Sequence, residues 1–287
     1  MINNLVHAAD LSIVMRKYRY LGSFFILTLV AVFLNGAGIR RNVERLANDK
    51  VAQGRPNYDA MFADGKLRIA VFWGWDHPRD TIMGSFPAFE TLNGKRLYYK
   101  GNPIMIEIGM ITQINEKPKD IFKTALEDST IDMVIYSGHA RYGKGMAFES
   151  MYDIFRCGNG DLVEDRHVKP YKVFKATSED LDATKFPNTY KIIMLNCCDS
   201  QGHFRQSWAK RFRECGAAVD LLTVEFPVFN LYDHRRVLNL LRDILAFADW
   251  KTIKANYESE VHKRKNRLII DPVRSPDEED FAMDGAY

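Results

Sequence analysis

Short apolar runs, each closed by turn-forming residues, recur along the chain and alternate with amphipathic stretches. Leu67 to Trp73 is followed by Gly74-Trp75-Asp76-His77-Pro78. Ile131 to Tyr136 runs into Ser137-Gly138-His139-Ala140, and Tyr190 to Leu195 runs into Asn196-Cys197-Cys198-Asp199-Ser200. Pro103 to Ile111 and Ala217 to Val224 have the same character. Runs of this length, rich in β-branched side chains, predict strands covered on both faces of a parallel sheet. Between them, Lys117 to Ser129 sets Ile121, Phe122, Ala125 and Leu126 on one helical face, with Pro118 suited to the first turn. Phe204 to Cys215 predicts a helix ended by Gly216. Arg235 to about Arg264 predicts one long helix with Val237, Leu238, Leu241, Ile244 and Leu245 as its core stripe. This alternation predicts an α/β fold: a central, mainly parallel sheet of about six strands, helices on both faces, and right-handed crossovers.

The pattern also divides the chain. Leu21 to Ile39 is 19 residues without a charge, with Arg16, Lys17 and Arg19 before it and Arg40 and Arg41 after it. About 20 apolar residues span a bilayer, so residues 1–39 read as a signal or membrane-anchor segment. Gly36-Ala37-Gly38 supplies a small-residue cleavage site for the first alternative. Basic residues on both sides leave the choice between signal and anchor open. Either alternative sets the rest of the chain as membrane-anchored or exported. Residues 40–65 are polar and mixed and read as a short helix and a linker. The folded domain is expected over 66–265, with a loose, acidic tail over 266–287. The stretch 140–188 is irregular, with a short strand near Lys172 to Lys175; a connection that long inside a compact domain usually has a function. Within it, Cys157-Gly158-Asn159-Gly160-Asp161 has the composition of a calcium loop but not the EF-hand spacing, and reads as a surface turn.

Composition narrows the function classes. Forty basic against 37 acidic residues give a net charge of +3, too balanced for a nucleic-acid partner, and no nucleic-acid motif is present. Four cysteines in 287 residues do not make a disulfide scaffold, and two of them are neighbours, so free thiols are expected.

The candidate chemistry lies at two strand ends. Parallel neighbours deliver their C-terminal ends to one edge of the sheet, where open α/β sheets take ligands. A histidine and a thiol meeting there can act as base and nucleophile, which selects His139 and Cys198. Strand alternation sends Cys197 and Cys198 to opposite sides, so only one of them faces His139. His203 could join Cys198 as a metal pair, but two ligands are too few for zinc, and no metal or cofactor is implied. Arg141 and Tyr142 leave the histidine strand at this edge, and Trp73, Trp75 and Asp76 leave the first strand there. All five are candidates for a substrate cleft.

His139 precedes Cys198 by 59 positions. An apolar block, Ser-Gly-His, a spacer, a second apolar block, then a small residue and Cys is a pattern that resembles the caspase-like cysteine peptidases, the superfamily of caspases, metacaspases, legumains and gingipains. Ile131 to His139 looks like the histidine strand of that superfamily, and Lys191 to Ser200, KIIMLNCCDS, looks like its cysteine strand. The resemblance implies a caspase-like α/β/α sandwich, a His139–Cys198 dyad, an oxyanion held by backbone N–H groups of Ala140 and Cys198, no cofactor, and a peptide or protein substrate. Two departures point to a divergent, bacterial branch: Ala140 stands where the family usually has Gly, and Asn196-Cys197-Cys198-Asp199-Ser200 replaces the caspase Gln-Ala-Cys motif. The alternatives are a non-catalytic caspase-like interaction module and another cysteine hydrolase, an amidase or thioesterase.

Overall fold

The computed structural model describes residues 54–74, 88–112, 117–148, 173–228, 230–259 and 266–272. Its strands are β1 (Lys66–Trp73), β2 (Arg96–Tyr99), β3 (Asn102–Thr112), β4 (Met133–Gly138), β5 (Met146–Ala147), β6 (Val173–Phe174), β7 (Lys191–Cys197), β8 (Val219–Val224) and β9 (Leu268–Asp271). Seven of them form one sheet in the order β2-β3-β1-β4-β7-β8-β9, and β5 and β6 pair separately. β3, β1, β4, β7 and β8 are mutually parallel. β2 and β9 run antiparallel along the two margins. The sheet thus has seven strands rather than about six. The two marginal strands are the ones that no long apolar run announces: Arg96–Tyr99 is short and half exposed, and Leu268–Asp271 has only four residues.

The parallel strands are apolar because both faces are covered. Ile69, Val71, Trp73, Met133, Ile135, Ile192 and Met194 share one core. It includes Tyr58 of α1 (Tyr58–Met61), Val237, Leu241 and Ile244 of α5 (Asn230–Leu245), and Trp250, Ile253 and Tyr257 of α6 (Trp250–Glu258). The alternate residues Ala70, Phe72, Val134, Tyr136, Ile193 and Leu195 face a second core. That core takes in Phe122 and Leu126 of α2 (Pro118–Glu127) and Phe204, Trp208 and Phe212 of α4 (Ser200–Cys215). In the parallel strands a two-residue period therefore directs the buried positions alternately to one core and the other. A short helix, α3 (Glu179–Asp182), precedes β7.

Four expectations change. The long helix over 235–264 is two helices, because Phe247 turns into the left-handed region at φ 56° and Asp249 caps α6 by accepting the Thr252 N–H at 2.7 Å. The domain reaches further toward the N-terminus than Lys66: Tyr58 is buried, and its hydroxyl donates to the Ala248 carbonyl at 2.8 Å. Residues 266–271 are not a loose tail, since Leu268–Asp271 pairs with β8. The transmembrane and signal-anchor expectation is also corrected: among the described residues no helix is long and apolar enough to cross a membrane. The longest of these helices have 16 residues and a single apolar face, where a span needs about 20 apolar ones. Residues 21–39 themselves lie outside the described residues.

At the N-terminal end of β7, Lys191 is fully buried. Its amino group donates to the carbonyls of Asp128 at 2.8 Å, Ala125 at 3.4 Å and Ile131. It closes the C-terminal end of α2, where helix carbonyls lack intrahelical partners. Burial pulls the amine down to about 8.

Candidate active site

β4 and β7 are immediate neighbours and parallel, as their matching patterns predict. Their ladder pairs Ser137 with Asn196 and, last of all, Gly138 with Cys197. His139 and Cys198 are the next residues of the two strands and leave the sheet at the same edge. In chain order the five parallel strands lie second, first, third, fourth, fifth. The order reverses between β1 and β4, and sheets of this arrangement take ligands outside the carboxyl ends of the strands at such a reversal. His139 leaves the strand that borders this point, and Cys198 leaves the next one.

The two thiols have separate environments. Cys197 is fully buried in the core beneath α2 and α4, and burial pushes its thiol well above the ordinary value. Cys198 is half-buried and packs at the margin of both cores. The Val228 N–H donates to the Cys198 sulfur at 3.4 Å, and that sulfur lies 3.7 Å from the Val228 carbonyl. Val228 lies in the loop after β8, so a third strand end takes part in holding this thiol. Asp199 follows in the left-handed conformation, φ 46° and ψ 40°, and caps α4 by accepting the Gly202 N–H at 3.2 Å. The chain thus passes from strand to helix within two residues, with Cys198 at the bend and the N-terminus of α4 directly after it. Left-handed backbone at non-glycine residues is costly, about 1–3 kcal/mol each, and tends to collect at functional sites.

The His139 segment is held from beneath. The Tyr136 hydroxyl lies 2.9 Å from the carbonyls of His139 and of Ala147 and accepts the Ala147 N–H at 2.9 Å. A Cβ on Gly138 would fall 2.8 Å from the Gly74 Cα and from the Tyr136 hydroxyl oxygen. Glycine at both strand ends lets β1 and β4 close over that hydroxyl. His139 is half-buried, its Nε2 is shielded from solvent, and burial alone pulls the imidazole down to about 4. The ring is therefore neutral at neutral pH. Ala140 is buried, and its carbonyl accepts N–H groups from Gly143 at 3.0 Å and Gly145 at 3.3 Å, starting a one-turn 3-10 helix (Arg141–Gly143). Arg141 is left-handed at φ 45°, so both strand ends are followed closely by a strained residue.

Behind the strand ends lies a buried polar chain. Tyr257 of α6 donates its hydroxyl to Asn196 Oδ1 at 2.6 Å, and Asn196 Nδ2 donates to Ser137 Oγ at 2.9 Å. All three residues are buried.

Of the cleft candidates, Trp73 is wholly buried, its ring edge-to-face with Phe89 at 5.6 Å, so it supports the core instead of lining a cleft. It stands inside the ladder, opposite Ser137, with its side chain in a covered face. Trp75 and Asp76 lie outside the described residues. Arg141 and the backbone of Tyr142 belong to the 3-10 turn that follows His139. The His203 ring packs on that turn, 2.8 Å from where a Cβ on Gly143 would stand. Among the described residues no group of three or more His, Cys, Asp and Glu side chains is arranged to hold a metal ion. The tyrosine hydroxyls and the Val228 amide escape a reading of the sequence. Val228 acts through backbone, which carries no residue signature, and Tyr257 is 61 positions from its partner Asn196. No family model matches this chain, and no curated protein matches it.

Proposed function

We propose that the chain is a cysteine endopeptidase of caspase-like fold, with Cys198 as nucleophile and His139 as its base. The observation that carries this reading is the β4–β7 register, which sets His139 and Cys198 as successive exits from adjacent parallel strands at one sheet edge. The polarity of the surroundings supports the roles. An N–H donated to sulfur and a helix N-terminus both favour negative charge on that atom. A neutral imidazole is the form that takes a proton.

In the reaction, His139 accepts the thiol proton as the Cys198 sulfur bonds to the scissile carbonyl carbon. Backbone N–H groups of Ala140 and Cys198 receive the oxyanion. The C–N bond then breaks, and the His139 proton goes to the leaving amine. Water attacks the thioester, gives its proton to His139, and the thiol is released with the acid product. No cofactor takes part.

The burial of His139 favours a second reading, a non-catalytic module of the same fold, because charging a buried imidazole is unfavourable. Incubation with a mixed peptide library and, separately, with a thiol-directed electrophile tests both. Cleavage of internal peptide bonds with labelling at Cys198 is the expected result. Labelling with hydrolysis of simple amides or thioesters alone would make it another cysteine hydrolase. Neither cleavage nor labelling in folded protein would leave the interaction module.

A further inference from the structure

The sheet edge holds a polar construction that the hydrolysis scheme does not use. Ser137 and Asn196 are a register pair, each two residues before His139 and Cys198 respectively, and their side chains bond to one another across β4 and β7 at 2.9 Å. Alternation puts Ser137 and His139 on one side of β4, and Asn196 and Cys198 on the corresponding side of β7. Tyr257 completes the chain from α6 by its 2.6 Å bond to Asn196 Oδ1. The tyrosine is itself fixed: the Arg236 guanidinium lies 5.3 Å from its ring centroid, and Arg236 donates to the Tyr257 carbonyl. Asn196, Ser137 and Arg236 are buried polar side chains, and Tyr257 lies in the core that the apolar residues Ile135, Met194 and Ile253 share. A buried polar chain is a weak source of stability compared with apolar packing, and what it contributes best is a unique geometry.

We propose that Tyr257 is a positioning residue for the His139–Cys198 pair: through Asn196 and Ser137 it sets the spacing of the β4 and β7 ends, so that the imidazole reaches the thiol. The role rests on the hydrolase reading above. It gives α6, an element far along the chain from either reactive residue, a part in the chemistry. Apolar substitution would leave the strands paired, but the two ends could then shift by a fraction of an ångström. Displacements near 1 Å are worth about 100-fold in rate.

The test uses the full chain and four variants, Tyr257→Phe, Ser137→Ala, Ser137→Thr and His139→Ala. Tyr257→Phe removes only a hydroxyl and keeps the ring under Arg236. The first readout is the rate of Cys198 alkylation by iodoacetamide at pH 6, followed by mass spectrometry of its peptide. An unassisted thiol, with a pKa near 8.5, is scarcely ionised at that pH, so the rate reports help from His139. The second is the split between kcat and KM on a cleaved peptide, and the third is the thermal midpoint. Tyr257→Phe and Ser137→Ala are expected to alkylate at rates between those of the wild type and His139→Ala, and to lower kcat about 10- to 100-fold with KM little changed. Ser137→Thr, which keeps the hydroxyl, should restore the wild-type alkylation rate. A wild-type alkylation rate in either Tyr257→Phe or Ser137→Ala, whatever its thermal midpoint, would overturn the proposal. Equal rates in the wild type and His139→Ala would instead overturn the hydrolase reading.

Discussion

Two adjacent thiols and one histidine carry the assignment, and single substitutions separate them. Cys198→Ala and His139→Ala should each abolish peptide hydrolysis in folded protein, whereas Cys197→Ala should retain most of it. Cys197 sits in the core beneath α2 and α4, so its truncation should cost about 1 kcal/mol of stability, measured by urea unfolding. Activity that survives Cys198→Ala but not Cys197→Ala would reverse the roles. His139 also predicts a pH dependence. Its folded value is about 4 against 6.5 for an ordinary histidine, because burial disfavours the charged ring. The base is then still unprotonated at pH 5, and the acid limb of kcat/KM should fall near pH 4 instead of near 6.5. Stability follows the same difference. As pH drops below 6.5 the unfolded chain binds the proton first, so the His139 contribution declines until pH passes about 4. Urea midpoints at pH 7.5, 5.5 and 4.5 should fall more steeply for wild type than for His139→Leu; parallel curves would contradict a buried neutral imidazole.

Elements decide where these residues stand, and their ends are the sensitive points. β4 and β1 close together over the Tyr136 hydroxyl only because Gly138 and Gly74 lack side chains. Gly138→Ala forces a Cβ to 2.8 Å from backbone and hydroxyl, and should destabilise by about 1–3 kcal/mol while distorting the His139 segment. Thermal unfolding and peptidase rate should therefore fall together. At the other edge, Lys191 ties β7 to the end of α2, so Lys191→Met exposes three carbonyls to an apolar group. A loss of about 2–3 kcal/mol is expected near pH 10. Because the folded amine is held at about 8 against 10.5, the unfolded chain takes its proton first as pH falls, and wild-type stability drops between those values. Lys191→Met should flatten that slope in unfolding measured from pH 8 to 10.5. The elements themselves were mostly legible. Apolar runs announce β1, β3, β4, β7 and β8 within a few residues. The break between α5 and α6 was not legible, since Leu245 to Trp250 continues an apolar pattern and only the left-handed Phe247 and the Asp249 cap end it.

At the scale of the molecule, the two cores and the order of the strands set where His139 and Cys198 stand. The N-terminal residues 54–62 belong to this architecture. Tyr58 and Phe62 pack with Tyr99 and Phe247, with ring centroids 5.0–6.2 Å apart. Beginning the chain at residue 64 should therefore cost about 3–5 kcal/mol relative to beginning it at residue 54, as for the loss of a large buried aromatic group. Equal midpoints for the two truncations would show that the aromatic cluster is incidental. The sequence alone determined the alternation of strand and helix, the mainly parallel sheet, and the two strand ends that carry His139 and Cys198. Those properties follow from local periodicity and from turn residues, which act over a few positions. Strand order, the burial of Trp73, the Val228 contact and the Tyr257–Asn196–Ser137 chain were decided only in the tertiary structure. Each joins groups that are distant in sequence, or uses backbone and buried hydroxyl atoms whose partners exist only after the cores have packed.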